Sequence, residues 1–364
     1  MKKLLLLTNN CGGLYLFRRE LLSKLSQLFS VIVCSPVDEH TENIESLGCL
    51  VVASPLDRRG INPIKDLKLL WGYVRLLHKE RPDIALLYTV KPNVYGGLAC
   101  RMTKTPYLPN VTGLGTSVEN GGALQKIVLT LYQIGLRKSR CTFFQNSENQ
   151  QFFINRQVVL GPTRLIPGSG VNLQGHTFEP YPEKDKPIRF TFVGRIMRDK
   201  GIYELLQAAA AIKEKYPEVI FDLIGGFDES CQDGVRQAER KGDINYLGPQ
   251  SDVHPFYQRS WAVIMPSYHE GMSNVCLEAA ATGRPVLASD VPGCRETFDE
   301  GVSGLGFAAK DAECLTSAIE KFIALPYDQK VKMGRSGREK MEREFDRQII
   351  VDAYLEEINK ALQE

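Results

Sequence analysis

Short apolar runs alternate with stretches of helical period along the whole chain, and the series is run through twice. In the first half Leu4–Leu7, Val31–Cys34, Leu50–Ala53, Ile84–Tyr88, Tyr107–Val111 and Cys141–Gln145 read as strands. Leu14–Phe29, Ile64–Lys79, Val94–Thr103 and Ala123–Lys138 read as the helices between them. Runs apolar at successive positions are buried on both faces, and their alternation with helices predicts a parallel, doubly wound α/β sheet. A polar, proline-rich passage, Glu179–Pro187, reads as a linker. The series then restarts with strands at Arg189–Val193, Val219–Ile224, Ile244–Leu247, Trp261–Met265 and from Pro285, and a helix at Ile202–Lys215. The tail reads as three helices, Ala312–Ala324, Tyr327–Phe345 and Arg347–Leu362. The expected organisation is two Rossmann-like domains, 1–175 and 176–346, facing across a cleft at their strand carboxyl ends, where ligands of open α/β sheets bind.

The densest chemistry lies in Trp261–Ser289. Pro266 stops the buried run Ala262–Met265, Ser273 and Asn274 are good N-cap residues, Val275–Ala281 is helix-forming, and Gly283 ends that helix. Glu270, followed by Gly271, falls on the loop, and Glu278 lies within a turn or two of the helix start. Backbone N–H groups of Met272, Ser273 and Asn274 at such a start make an anion site. Carboxylates flanking it fit a ligand with both phosphates and hydroxyls, such as a nucleotide sugar. They equally fit a solvated Glu270 and a Glu278 that suits the helix dipole, and spacing alone leaves both open.

A second loop, Val193–Gly201, joins strand to helix and carries Arg195 and Lys200. Arg195 can grip a diphosphate with two parallel hydrogen bonds and Lys200 can add a point charge; two solvated loop cations are the alternative. Near the start, Asn10-Cys11-Gly12-Gly13 separates the first strand from the first helix. Glycines there let the backbone approach a ligand, although a tight turn needs only one. Arg18 and Arg19 on that helix face either an acceptor phosphate or water.

Glu270-Gly271 with Glu278 eight positions after Glu270, inside the order strand, Pro-Ser, Glu-Gly, helix, Gly-x-Pro-Val, resembles the E-x7-E signature of retaining GT-B glycosyltransferases of family four. The resemblance implies Glu270 near the donor sugar and Glu278 on the ribose hydroxyls. Its Gly-Arg and Lys-Gly pattern, present from Gly194, assigns Arg195 and Lys200 to the donor phosphates. It further implies substrate contacts at Gly194, Gly271, Met272, Ser273 and Asn274, and at Gly12 and Gly13 of a Gly-Gly loop. Lys91 in Tyr88–Asn93, and Thr112 and Gly113 in Asn110–Gly115, complete the set. Many relatives carry a His where Thr112 stands, so no acid or base role is assigned to Thr112, and His269 reads as a loop residue. Glu296, in a stretch similar to the family's Gly-x-x-Glu loop, is expected to be structural support, and helix 347–362 to pack back on the first domain. The order of segments Asp57–Pro63, Lys91–Gly97, Val111–Gly115 and Gly168–Asn172 is most similar to bacterial N-acetylgalactosaminyl- and galactosyltransferases. Those enzymes extend sugars on undecaprenyl diphosphate for O-antigen, capsule or glycoprotein assembly.

Composition bounds the remaining readings. The chain has 364 residues, 43% of them hydrophobic and 24% charged, as in soluble globular proteins. Its nine cysteines form no C-x-x-C pair, which fits a reduced interior better than a disulfide frame or zinc site. Met1–Leu7 is too short an apolar run for a signal peptide, and no run approaches transmembrane length. Residues 1–180 hold 21 Lys/Arg against 12 Asp/Glu, and the remainder 24 against 31. That asymmetry fits an anionic partner of the first half, a lipid phosphate or a membrane surface, and equally fits solvated faces that differ in charge. The basic residues lack interleaved aromatics, so nucleic acid is not expected. Ala123–Arg140, with Leu124, Ile127, Val128, Leu131 and a basic end, is the candidate for peripheral membrane contact, against ordinary core packing. Gly304–Ala309 formally fits a dinucleotide fingerprint but lacks a preceding strand and a following acidic ribose ligand, and is set aside.

No Asp-x-Asp occurs in the chain, so a metal-held diphosphate is not expected and no cofactor is called for. Arg195, Lys200 and the helix start would neutralise the leaving group. The activity that the resemblance implies is retaining transfer, here metal-independent, of a hexose or N-acetylhexosamine, GalNAc or Gal favoured, from a UDP-sugar to a polyprenyl-diphosphate-linked saccharide. The expected place is the cytoplasmic face of a bacterial plasma membrane. The alternatives are a GT-B enzyme of another reaction, such as a sugar-nucleotide epimerase or a GDP-mannose-dependent mannosyltransferase, and a non-catalytic nucleotide-binding module.

Overall fold

The computed structural model of the protein describes residues 1–54, 56, 62–113, 122–228 and 231–363, and of Ala123 and Leu124 the backbone alone. The chain divides into two units, Met1–Ser169 with Arg347–Glu364, and Gly170–Asp346.

The first unit is built on seven parallel strands: β1 (Lys3–Leu7), β2 (Ser30–Ser35), β3 (Leu50–Ala53), β4 (Ile84–Tyr88), β5 (Tyr107–Val111), β6 (Thr142–Phe144) and β7 (Thr163–Leu165). They lie in the order β3-β2-β1-β4-β5-β6-β7, with Leu4 opposite Ile84 and Leu7 opposite Leu87 across the β1–β4 pair. The connecting helices are α1 (Cys11–Leu28), α2 (Thr41–Ser46), α3 (Pro63–Glu80), α4 (Gly97–Thr103), α5 (Gly122–Leu136) and α6 (Ser147–Asn155), with one π-turn at Pro92–Gly96. Leu4–Leu7 and Ile84–Leu87 are wholly buried because helices cover both faces of the sheet. The C-terminal helix, Arg347–Gln363, belongs to this unit and places Ile350, Val351, Tyr354 and Ile358 in the same core as Leu4, Leu6 and Leu22.

The second unit repeats the plan with six parallel strands: β8 (Arg189–Val193), β9 (Ile220–Ile224), β10 (Asn245–Tyr246), β11 (Ala262–Met265), β12 (Val286–Ser289) and β13 (Gly304–Phe307). Their order is β10-β9-β8-β11-β12-β13. Helices α7 (Ile202–Lys215), α8 (Gln232–Lys241), α9 (His254–Arg259), α10 (Asn274–Ala281), α11 (Ala312–Ala324) and α12 (Tyr327–Lys340) surround it. In both sheets the strand order reverses once, between β1 and β4 and between β8 and β11. Loops at the carboxyl ends of those pairs are where doubly wound sheets bind ligands.

Several expectations shift. The crossover between units falls at Ser169–Gly170, where Val171 N donates to Phe345 O at 2.8 Å and ties the two ends of the second unit together. The proline-rich passage read as a linker is instead bound to the second unit. The buried Arg284 donates to the carbonyls of Glu179 and Pro180, and Tyr181 packs edge-on against Trp261. Proline content marked a segment without regular structure, which long-range bonds then pinned. Gly304–Phe307, set aside as a fingerprint, is the edge strand β13, and β7, α2, α6, α8 and α9 were not foreseen. Residues 57–61, 114 and 115 of the segments compared above lie outside the described residues.

Candidate active site

Two loops at the carboxyl ends of β8 and β11 are bound into one surface. Beyond β8 the chain passes Gly194 and Arg195 and makes a single 3-10 turn, Arg198–Lys200, before Gly201 opens α7. Gly201 has φ +69°, and a Cβ there would stand 2.0 Å from the Pro266 carbonyl oxygen, so only glycine lets the loops meet. Tyr268 N–H donates to Asp199 O at 2.9 Å, and Tyr268 OH to Glu204 Oε1 at 2.7 Å.

This contact brings Lys200 to Glu270, seventy positions away. Lys200 Nζ is hydrogen-bonded to Glu270 Oε1, and Ser267 Oγ donates to the same oxygen at 2.8 Å. Both side chains of the pair are largely buried. Arg195 is half-exposed and its Nη1 is paired with Asp228 Oδ2.

From Glu270 the chain turns over the loop Val291–Cys294. A Cβ on Gly293, whose φ is +82°, would stand 2.6 Å from Glu270 O. Glu296 Oε2 accepts from Gly293 N at 2.7 Å, so Glu296 braces the loop on which Glu270 rests. Ser273 is the N-cap of α10, its Oγ accepting from Cys276 N at 3.4 Å. Here the expected anion site needs correction. Ser273 N–H is committed to Gly293 O at 2.7 Å, so it is not an open donor, and the Met272 side chain is buried in the core. Asn274 opens α10, and its Oδ1 is buried with no hydrogen-bond partner among the described residues.

Glu278 lies one turn into α10. Its Oε2 accepts from Tyr257 OH at 3.0 Å, and its Oε1 is 3.9 Å from His176 Nε2. Burial first, then the neighbouring carboxylate, raises the Tyr257 phenol well above its usual range, so it stays a donor. Ser267 was read only as part of the Pro-Ser pattern, and the parts of Tyr257 and His176 escaped the sequence reading because nothing local marks a residue whose partner lies on another element.

In the first unit the corresponding loops follow β1 and β4. Cys11 N and Gly12 N donate to Asp38 Oδ2 at 2.8 and 3.0 Å, and Gly13 N donates to Asn10 Oδ1. A carboxylate of the chain itself therefore sits at the start of α1, and Gly12 and Gly13 are small because His40 and Asn10 press against them. Lys91, beyond β4, holds Asp66 Oδ1 at 2.7 Å, and Tyr95 OH donates to Asp66 Oδ2 at 3.1 Å. Burial and then Asp66 push the Tyr95 phenol up to about 12. Thr112 and Gly113 follow β5. Arg18 faces neither phosphate nor water: it is 4% exposed, and its guanidinium lies 5.3 and 5.6 Å from the ring centroids of Tyr88 and Tyr354. Arg19 covers the Tyr15 ring. In α5, Val128, Leu129 and Leu131 pack beside the buried Tyr132, so much of its described apolar face is core, while Ile127 and Ile134 are exposed.

Comparison with known proteins assigns this architecture. Residues 3–146 match the model for glycosyl transferase 4-like proteins, and residues 175–340 match glycosyl transferases group 1. The chain is 27% identical, over 94% of its length and 95% of the relative's, to N,N'-diacetylbacillosaminyl-diphospho-undecaprenol alpha-1,3-N-acetylgalactosaminyltransferase of Campylobacter jejuni. It is 25% identical, over 72% of its length and 71% of the relative's, to the UDP-Gal:alpha-D-GlcNAc-diphosphoundecaprenol alpha-1,3-galactosyltransferase of Escherichia coli. Its fold is that of sucrose-phosphate synthase from Thermosynechococcus elongatus, with a TM-score of 0.81 at 22% identity over 99% of both chains. With its two units matching the glycosyl transferase 4-like and group 1 models and the whole chain matched in fold, the protein is a glycosyltransferase of GT-B fold.

Proposed function

We propose that the protein is a retaining hexosyltransferase. It moves a hexose or N-acetylhexosamine, galactose or N-acetylgalactosamine foremost, from a UDP-sugar to a saccharide carried on a polyprenyl diphosphate. The product would be a bacterial surface polysaccharide or glycan, and the named activities of the two bacterial relatives support that choice. The observation that carries the reading is the convergence of Lys200 and Ser267 on Glu270, where the strand order of the second sheet reverses. A cation and a carboxylate held together there suit a leaving diphosphate next to a sugar hydroxyl.

On this reading Lys200 and Arg195 balance the charge that develops on the diphosphate, so the step needs no metal. Glu278, oriented by Tyr257, accepts hydrogen bonds from the ribose hydroxyls, and Glu270 accepts one from the donor sugar. The bond from sugar C1 to the phosphate oxygen breaks while the acceptor hydroxyl oxygen bonds C1 on the same face. The hydroxyl proton passes to the departing phosphate. The first unit, which carries most of the basic excess, takes the lipid-linked acceptor at the cytoplasmic membrane face.

The test is a panel of UDP-GalNAc, UDP-Gal, UDP-GlcNAc, UDP-Glc and GDP-mannose in EDTA, with and without a polyprenyl-diphosphate saccharide. Acceptor-dependent release of UDP from one donor, with the anomeric configuration kept, is the expected result. Release only with divalent metal overturns the role given to Lys200 and Arg195, and binding without turnover favours the nucleotide-binding module.

A further inference from the structure

Helix α3 is held by its inner face and unusually furnished on its outer one. Asn62 Oδ1 accepts from Ile64 N and Lys65 N, Pro63 occupies the first turn, and Arg81 closes the helix in a left-handed conformation. Leu69, Leu70, Tyr73, Val74 and Leu77 are buried, together with Asp66, the partner of Lys91. On the opposite side Ile64, Leu67 and Trp71 are 69, 55 and 49% exposed. Their spacing puts them in one line along the helix. Beside that line Lys68, Arg75 and Lys79 are exposed. The helix has no exposed carboxylate: Asp66 is buried, and the Glu80 oxygens lie 3.6 Å from Lys3 and Lys79.

A lone exposed leucine is ordinary on a soluble surface, but an apolar row containing a half-exposed tryptophan marks an interaction site. The composition selects the partner. Tryptophan with aliphatic neighbours suits the boundary between headgroups and acyl chains, and a flanking row of cations without acids suits anionic phosphates. On the basic side the helix and β3 enclose a cavity of about 250 Å³ lined by Val52, Ala53, Tyr73 and Leu76, with Arg75 and Lys79 at it. An apolar pocket next to two cations has a use for a lipid and none for a nucleic acid.

We propose that the outer face of α3 docks the first unit on an anionic phospholipid surface, through Ile64, Leu67 and Trp71 in the interface and Lys68, Arg75 and Lys79 against the headgroups. This replaces α5 as the main contact. It deepens the membrane location in the proposed function, yet vesicle binding needs neither donor nor acceptor, so the two readings fail separately.

The experiment is co-flotation of the full chain with vesicles of phosphatidylcholine alone or mixed with phosphatidylglycerol, at low and high salt. The two tryptophans make it specific, because Trp261 is only 4% exposed, so a blue shift and quenching by brominated lipid report Trp71. Binding is expected only with phosphatidylglycerol, to weaken with salt, and to fall about fivefold for each of Lys68→Gln and Arg75→Gln. Trp71→Ser removes the blue shift and most binding while UDP release onto a water-soluble acceptor is unchanged. Absence of binding, or equal binding by these variants with loss in Ile127→Ser, overturns the proposal. Self-association abolished by Trp71→Ser, without vesicle binding, overturns it in favour of an interface between copies.

Discussion

Lys200 Nζ and Ser267 Oγ both donate to one oxygen of Glu270, so the loops after β8 and β11 share a single charged hydrogen-bonded centre. Glu270→Gln keeps the shape and removes the charge, and Lys200→Met strands the carboxylate. Each is expected to lower kcat about 100- to 1,000-fold, the range for groups that stabilise charge in the transition state. Because the two touch, the double variant should lose much less than the product of the single losses, a coupling that steady-state nucleotide release measures directly. Full additivity would mean that the residues act apart.

Tyr257→Phe leaves the buried ring in place and withdraws the hydroxyl that donates to Glu278. A hydrogen bond to a carboxylate contributes about 1.5–3 kcal/mol, so the donor KM should rise at least about tenfold with kcat unchanged. A fall in kcat at constant KM would move Glu278 from ribose binding to the chemical step.

Arg284 is fully buried and donates to five carbonyls, those of Tyr257, Glu179, Gly283, Pro180 and Gln258. Burial lowers its pKa to about 10, still far above neutrality, so the cation is retained. Arg284→Ala should cost about 3–5 kcal/mol in urea unfolding, as for a buried charged group whose partners are left unsatisfied. Arg284→Lys should recover little of it, since one ammonium cannot reach five carbonyls spread around the edge of a planar guanidinium.

Glu179 is held below its ordinary pKa of 4.5, chiefly by its hydrogen bond with His254 and then by Thr177. A carboxyl with a lower pKa in the folded state stabilises above its unfolded value, and that contribution disappears as pH falls through the folded value. The melting-temperature gap between the wild type and Glu179→Gln should therefore be full at pH 6 and shrink progressively below about pH 4.5. A gap that widens in acid would reverse the assigned direction.

Much of this was legible in the residues. Leu4–Leu7 and Ala262–Met265 are apolar at every position, which only a strand covered on both faces tolerates, and both form such strands. Lys200 and Glu270 follow the carboxyl ends of β8 and β11, where Gly194 and Pro266 end the apolar runs. The misses have physical reasons as well. β13 was met only as a formal dinucleotide fingerprint, and its first glycine is there because Gly304 packs against the Val286 carbonyl, where any Cβ would be 2.4 Å away. α8 buries only Val235 and Ala238, too few apolar positions to announce a helix.

Local pattern governs backbone period, and so the alternation of strands and helices, their doubling and the loops that carry chemistry follow from the order of residues alone. Partnership does not, because it depends on which elements pack together. Arg18 was placed on the right helix, yet its burial against Tyr354 arises only when the last helix joins the first sheet. Gly12 and Gly13 read only as a close-approach loop, and that the N–H groups of Cys11 and Gly12 bond Asp38, 26 positions beyond Gly12, is decided by the fold. Lys200 and Glu270 were each read from their own loops, but their bond required Gly201 to let the Pro266 carbonyl approach. Folding brings together groups far apart in sequence, and the burial that follows decides which charges meet a ligand and which meet each other.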